Sequence, residues 1–144
     1  MVLIAHRGNT IGPNPVDENR PEYIREALEG GYNVEIDVWS IDGRLYFGHD
    51  EPRYPSYLQL LHNPGLWIHA KNLEALEYLI DIDRVHTFWH DKDLVTLTSD
   101  NYIWGFRGGT HRSIIVVKDD SIPTEKCYGI CSDYVQKIKN KITP

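Results

Sequence analysis

Short apolar runs recur along the chain, and each gives way to a polar or charged residue. Val2 to Ala5 reads as a buried strand ended by His6-Arg7-Gly8. Asn9 to Asp17 is a polar loop in which Pro13 and Pro15 oppose regular structure. The Glu18-Asn19-Arg20-Pro21-Glu22 run then predicts a helix start. Asn19 is placed to cap it, Pro21 suits the first turn, and Glu22 follows three residues on as in a capping box. Tyr23, Ile24, Ala27 and Leu28 form one apolar stripe, and Gly30-Gly31 stops the helix. In the next strand Val34, Ile36 and Val38 alternate with Glu35 and Asp37, which puts both acids on one face, roughly 7 Å apart. Asp42-Gly43 is a hairpin turn, and Leu45 to Phe47 runs back toward His49-Asp50.

Beyond the hairpin the rhythm continues. Glu51 to Tyr57 is a Pro-rich loop, Tyr57 to His62 a short helix, and Leu66 to Ala70 a buried strand followed by Lys71 and a helix from Asn72 to Leu79. Val85 to Trp89 predicts a strand ending at His90, with a brief helical connection over Asp91 to Leu97. Strands follow at Tyr102 to Phe106, Ser113 to Val117 and Tyr128 to Cys131, and Tyr134 to Lys141 closes the chain as a basic helix. A strand–helix–strand unit is a right-handed crossover, so the first two strands are expected to be parallel neighbours. The repetition predicts a parallel α/β barrel with its active site at the carboxyl ends of the strands. The chain has 144 residues, far below the ~250 usual for such barrels. The expectation is therefore a compact, incomplete TIM-type (β/α) barrel with reduced helices, one domain over residues 1–144. An open doubly wound sheet is the rival. The strand-end residues are His6, Glu35, Asp37, His69, Lys71, His90, Arg107, Lys118 and Asp133.

Composition narrows the partners. The net charge of −6 argues against a nucleic-acid binder, because phosphate backbones demand a Lys/Arg surplus. The N-terminal apolar run is too short for a signal peptide or a membrane span, so no stable membrane insertion is expected. Cys127 and Cys131 have no companion pair; reduced thiols and a cytoplasmic setting are the simplest reading. Nothing in the sequence specifies an oligomeric state.

The chemistry concentrates between Val34 and Asp50. Glu35 and Asp37 share a face beside apolar positions, with His49 seventeen residues or fewer away along the chain. Burying unpaired carboxylates is costly, and a divalent cation would offset that cost. By themselves these residues also fit a solvated strand face and an ordinary histidine. His62, His86 and His111 read as surface residues, and the four tryptophans chiefly as packing, with Trp89 or Trp104 able to line a pocket.

The ordered set AHRG at 5–8, EN at 18–19, EIDV at 35–38, DG at 42–43 and HD at 49–50 resembles the glycerophosphodiester phosphodiesterases. YGICSDYV near the end is similar to that family's last barrel strand, and WIHAKN at 67–72 aligns with a segment the family usually reads Glu-x-Lys. The resemblance covers the first third of the chain closely and the middle weakly. It implies His6 and His49 as general acid and base, Glu35 and Asp37 as ligands of a divalent metal (Mg²⁺ or Ca²⁺), and Arg7 and Lys71 as contacts to the substrate phosphate. The implied substrate is a glycerophosphodiester or related small phosphodiester.

One departure carries chemistry. Where the family has its third acidic ligand, this chain has His69. An imidazole ligates metals but removes a negative charge and favours a borderline ion, so Mn²⁺ or another transition metal joins the expectation. Glu18 is a nearby carboxylate able to compensate. Two alternatives stand beside hydrolysis of small diesters. One is a catalytically silent module binding an anionic phosphodiester. The other is a phospholipase-type phosphodiesterase of the same fold, which the lack of an amphipathic docking segment disfavours.

Overall fold

The computed structural model describes residues 1–143; Pro144 lies outside them. In chain order the elements are β1 (Val2–His6), α1 (Pro21–Glu29), β2 (Asn33–Ile41), β3 (Arg44–Phe47), β4 (Tyr54–Pro55), α2 (Leu58–Leu61), β5 (Leu66–Ala70), α3 (Leu73–Ile80), β6 (Thr87–Phe88), β7 (Val95–Leu97), β8 (Ile103–Gly105), β9 (Ser113–Val116), β10 (Gly129–Ser132) and α4 (Val135–Ile142). They form a mixed α/β architecture with one curled sheet and few helices. β1 pairs in parallel with β2 on one side and β10 on the other. Parallel pairing continues from β2 to β5 and β6, and from β10 to β9 and β8. The expected hairpin forms beyond the parallel part of β2: β3 pairs back on Val38–Ile41, with Asp42 and Gly43 both at positive φ (51° and 76°) as the tight turn requires.

Alternation along the strands sorts side chains onto the two faces. Ala5, Val34, Ile36, Val38, Leu66, Ile68 and Ala70 join Ile24 and Ala27 of α1, Ala75 and Leu79 of α3, and Val135 of α4 in one buried cluster. The opposite, concave face carries a second cluster of Ile4, Trp67, Phe88, Trp104, Ile114 and Cys131. Trp104 bridges its neighbours, with ring centroids 4.6 Å from Phe88 and 5.8 Å from Trp67. These six come from six different parallel strands, so the concavity is a packed floor. The next inward position on each strand rises above it.

Three expectations are corrected. Asp91 to Leu97 contains no helix; its end is β7, antiparallel to β8. The β-branched Val95 and Thr96 suit a half-buried strand, and β8 offers an open edge to pair with. The α/β class is as expected, in the form of a curled sheet with few helices: β7 reverses direction and the connections following β8 and β9 are loops. Asn19 does not cap α1; Arg20 holds the cap position without a side-chain bond. His86, expected at the surface, is tucked against Trp67, with centroids 4.3 Å apart.

The sheet's two ends meet around residues 98–99. Thr87 N–H donates to Ser99 Oγ and Ser99 N–H to the Thr87 carbonyl, each at 2.9 Å. Beside them the buried Thr98 hydroxyl contacts His86 Nε2 at 2.7 Å and accepts from Tyr102 N–H at 3.1 Å. Thr98→Val keeps the shape and removes both bonds. It should lower unfolding stability by about 1–3 kcal/mol, the cost of stranding buried polar partners. Urea denaturation reads this; an unchanged midpoint would show that the junction contributes nothing.

Candidate functional site

Every strand of the parallel set except β8 delivers a polar or charged residue to the same end. Two positions beyond the floor residue Ile4 stands His6; beyond Trp67 come His69 and Lys71; beyond Phe88, His90; beyond Ile114 and Val116, Lys118; beyond Cys131, Asp133. β2 contributes Glu35 and Asp37. All of these line one cavity of about 620 Å³, together with Arg7, His49, Trp104 and Phe106. The seven residues assigned from sequence, His6, Arg7, Glu35, Asp37, His49, His69 and Lys71, are thus brought together. Arg107, the remaining strand-end residue, does not line it.

Asp37 is the buried centre, 1% exposed, with Glu35 at 2%. Two such carboxylates are tolerated only with partners. Asn19 supplies the tightest: its Nδ2 donates to Asp37 Oδ2 and its Oδ1 accepts from the Asp37 amide, both at 2.9 Å. To do so Asn19 adopts a left-handed φ of 64°, a conformation asparagine tolerates better than most residues. Arg7 Nε lies 3.3 Å from Asp37 Oδ2, and Lys71 Nζ 3.9 Å from Oδ1. Arg7 is itself left-handed (φ 54°). Its amide bonds the Glu35 carbonyl (2.9 Å) and its carbonyl accepts from Asn19 N–H (3.1 Å), which pins the turn after β1. Gly8 completes that turn at φ 90°, where a Cβ would lie 2.8 Å from the Tyr23 ring.

Asp37 Oδ1 is buried without a hydrogen-bond partner. It faces His69 Nδ1 at 3.4 Å, which in turn lies 3.7 Å from Glu35 Oε1. One donor atom each from Glu35, Asp37 and His69 falls within 4.8 Å of the others. The spacing and the orphaned oxygen fit a shared cation. Burial opposes ionisation of Asp37, but His69, Arg7 and Asn19 outweigh it and hold the carboxyl down at about 2. Burial likewise disfavours a charged His69, yet Asp37 and Glu35 pull its pKa up to about 9. The His90 amide donates to His69 Nε2 at 3.4 Å, which resists protonation there. Two carboxylates outweigh one long hydrogen bond, and in either form Nδ1 carries a proton toward the acids.

His6 is oriented by a residue to which sequence analysis gave no role beyond its strand end. Its Nδ1 lies 2.9 Å from Asp133 Oδ1, an oxygen that also accepts from Asn9 Nδ2 at 2.8 Å. Nε2 is left facing the cavity, 3.8 Å from Glu35. Burial lowers the His6 pKa, but Asp133 and Glu35 outweigh it and leave it raised. The DY pair in CSDYV was the available signal, but only folding reveals what Asp133 touches. His49 reaches the cavity from the loop after β3 and pairs with Asp50 at 2.7 Å. Glu18 does not supply a third acid beside Glu35 and Asp37: its carboxylate holds Arg7 Nη1 (3.2 Å) and Asn9 Nδ2 (2.9 Å).

No family profile, curated protein or solved structure matches this chain. Among the described residues no helix is long and apolar enough to cross a membrane, and both cysteines are free.

Asp133→Asn removes the charge that favours imidazolium at His6. The folded pKa of His6 should fall toward or below its ordinary 6.5, and the imidazole C–H resonances report it by NMR titration. Since the raised pKa means a protonated His6 stabilises the fold, the wild-type advantage over Asp133→Asn should be largest below pH 6.5 and shrink as pH rises through the folded value. An unmoved His6 titration would show that the 2.9 Å contact does not govern it.

Proposed function

We propose that this chain is a phosphoric diester hydrolase similar to the glycerophosphodiester phosphodiesterases, built on a reduced TIM-type barrel. Chain-order pairing, with the first and last parallel strands side by side, supports the barrel reading. The observation that carries the function is Asp37 Oδ1, buried and without a hydrogen-bond partner between Glu35 and His69, at the wall of a cavity that also holds Arg7, Lys71 and three further histidines.

The chain's own groups divide the work. Arg7 and Lys71 hold the phosphate oxygens, an arginine fork suiting them in pairs of bonds. His6, tethered through Nδ1 and with a raised pKa, keeps a proton on Nε2 for the leaving alcohol as the P–O bond breaks. His49 takes the proton of the attacking water or neighbouring hydroxyl; imidazoles suit both tasks near neutrality. Glu35, Asp37 and His69 would hold a divalent ion, Mg²⁺, Ca²⁺ or a borderline metal such as Mn²⁺. Bound there, such an ion offsets the charge that develops on the phosphate oxygens.

A metal-replete hydrolysis screen over glycerophosphodiesters, lysophospholipids and a chromogenic diester tests the reading. His6→Ala and His49→Ala should each lower turnover about 10²-fold or more with the melting temperature retained. Near wild-type rates in both would overturn the assignment.

The proton on His69 Nδ1 favours a second reading. Imidazolium, Arg7 and Lys71 already neutralise the two acids, leaving a site that binds an anionic phosphodiester without an ion or turnover. Calorimetry separates the two. If an ion binds, it must displace that proton, so affinity should climb as pH rises toward about 9. His69→Glu should tighten Mg²⁺ and Ca²⁺ and flatten the pH dependence above about 5, where a carboxylate stays ionised. Diester binding with no metal heat at any pH would favour the silent module.

A further inference from the structure

The cavity has two chemically distinct sides, and the catalytic reading uses only one. β1, β2 and β5 supply every acid, base and phosphate contact named above except His49 and Asp133. The facing side, from β8 and β9, is apolar up to Lys118: Trp104, Phe106, Val116 and Val117 line the same space. Trp104 pairs with Ile114 across the two strands, and the next inward positions are Phe106 and Val116. The strip therefore climbs from the packed floor to the mouth. Trp104 is 4% exposed and Phe106 49%; the Phe106 ring leans on His90, centroids 5.2 Å apart.

A half-exposed phenylalanine at the mouth of a polar cavity leaves apolar surface in water, and an apolar wall with a few convergent polar groups is the usual make-up of a ligand site. A glycerol-sized alcohol offers several hydroxyls and would find only the Trp104 indole N–H at the foot of this strip and Lys118 beyond Val116 to bond with. A substituent with no polar atoms would instead dehydrate it.

We propose that this strip is the subsite for one alcohol group of the substrate and that this alcohol is apolar. The substrate class is then a phosphodiester with a hydrocarbon or aryl substituent, its phosphate held by Arg7 and Lys71 and its apolar end laid along Trp104, Phe106 and Val116. The inference rests on the phosphodiesterase reading for turnover, but the subsite itself does not require catalysis.

The test is a series of 4-nitrophenyl alkyl phosphodiesters from methyl to octyl, with a phenyl member, read as the slope of log kcat/KM against chain length. Burial of each methylene should raise kcat/KM about two- to fourfold until the strip ends. Phe106→Ser, at an exposed position, should flatten the slope whatever its effect on the methyl ester, and Val117→Thr provides a milder, shape-conserving second variant. In parallel, calorimetry with the matching dialkyl phosphates measures affinity without chemistry. Rates that ignore chain length, or a slope unchanged in both variants, overturn the subsite while leaving hydrolysis standing. Affinity that grows with chain length in the absence of any turnover keeps the subsite and overturns the hydrolase reading. A phenyl ester preferred over hexyl identifies ring stacking as the source; the reverse identifies a flexible chain. No turnover and no chain-dependent affinity sinks both.

Discussion

A carboxylate buried to 1% exposure is tolerable only if its surroundings replace the water it has lost, and the surroundings of Asp37 organise this molecule. Asn19 bonds it twice, Arg7 and Lys71 bring positive charge, and His69 faces its remaining oxygen. The four partners come from three stretches of chain: the loop before α1, the turn after β1, and the end of β5, which gives both His69 and Lys71. Holding them together explains two left-handed residues, Arg7 and Asn19, that the loop would otherwise avoid. It also explains why Glu18 points at Arg7 and away from the acids. The positive charge around Asp37 is kept in place by a further layer of negative charge.

The scaffold that permits this is economical. Helices cover the convex face where Ala5, Val34, Ile36, Ile68 and Ala70 need apolar partners, while the connections after β8 and β9 contain no helix. The concave face divides by depth. Aromatic and aliphatic side chains close the floor, and the polar residues above them stand in a cavity whose lower end is apolar. Charges at such a boundary interact more strongly than in water, which is why His6 and His69 are raised despite burial and Asp133 and Asp37 are lowered despite it.

His69 gives the site its individual character. A carboxylate there would have left a third negative charge for a cation to neutralise. The imidazole supplies its own proton to the same place, so the two proposed readings of the site differ by the occupancy of one nitrogen. Asp133 has a parallel role toward His6, fixing one ring nitrogen so that the other is presented to the cavity.

How much of this was legible follows from the range of the forces involved. Local alternation was sufficient to place Glu35 and Asp37 together on one face, to put His69 and Lys71 on one side of β5, and to set the Asp42-Gly43 turn, because strand period and turn dihedrals depend on neighbours only. The apolar face of α1 was legible for the same reason. Asn19 was misread because an Asn before Pro and Glu looks like a cap in isolation; a buried carboxylate eighteen residues away competes for its amide and wins. The segment 91–97 was misread because its β-branched Val95 and Thr96 take strand form only where the open edge of β8 offers a partner. Asp133 acquires its meaning only when the last strand lies against the first, and His86 its burial only when Trp67 covers it. The sequence by itself thus determined which residues carry charge and which way each strand presents them. The tertiary structure alone decided which charges meet, since a pairing between residues 6 and 133 depends on closing the whole chain, and no local pattern encodes that closure.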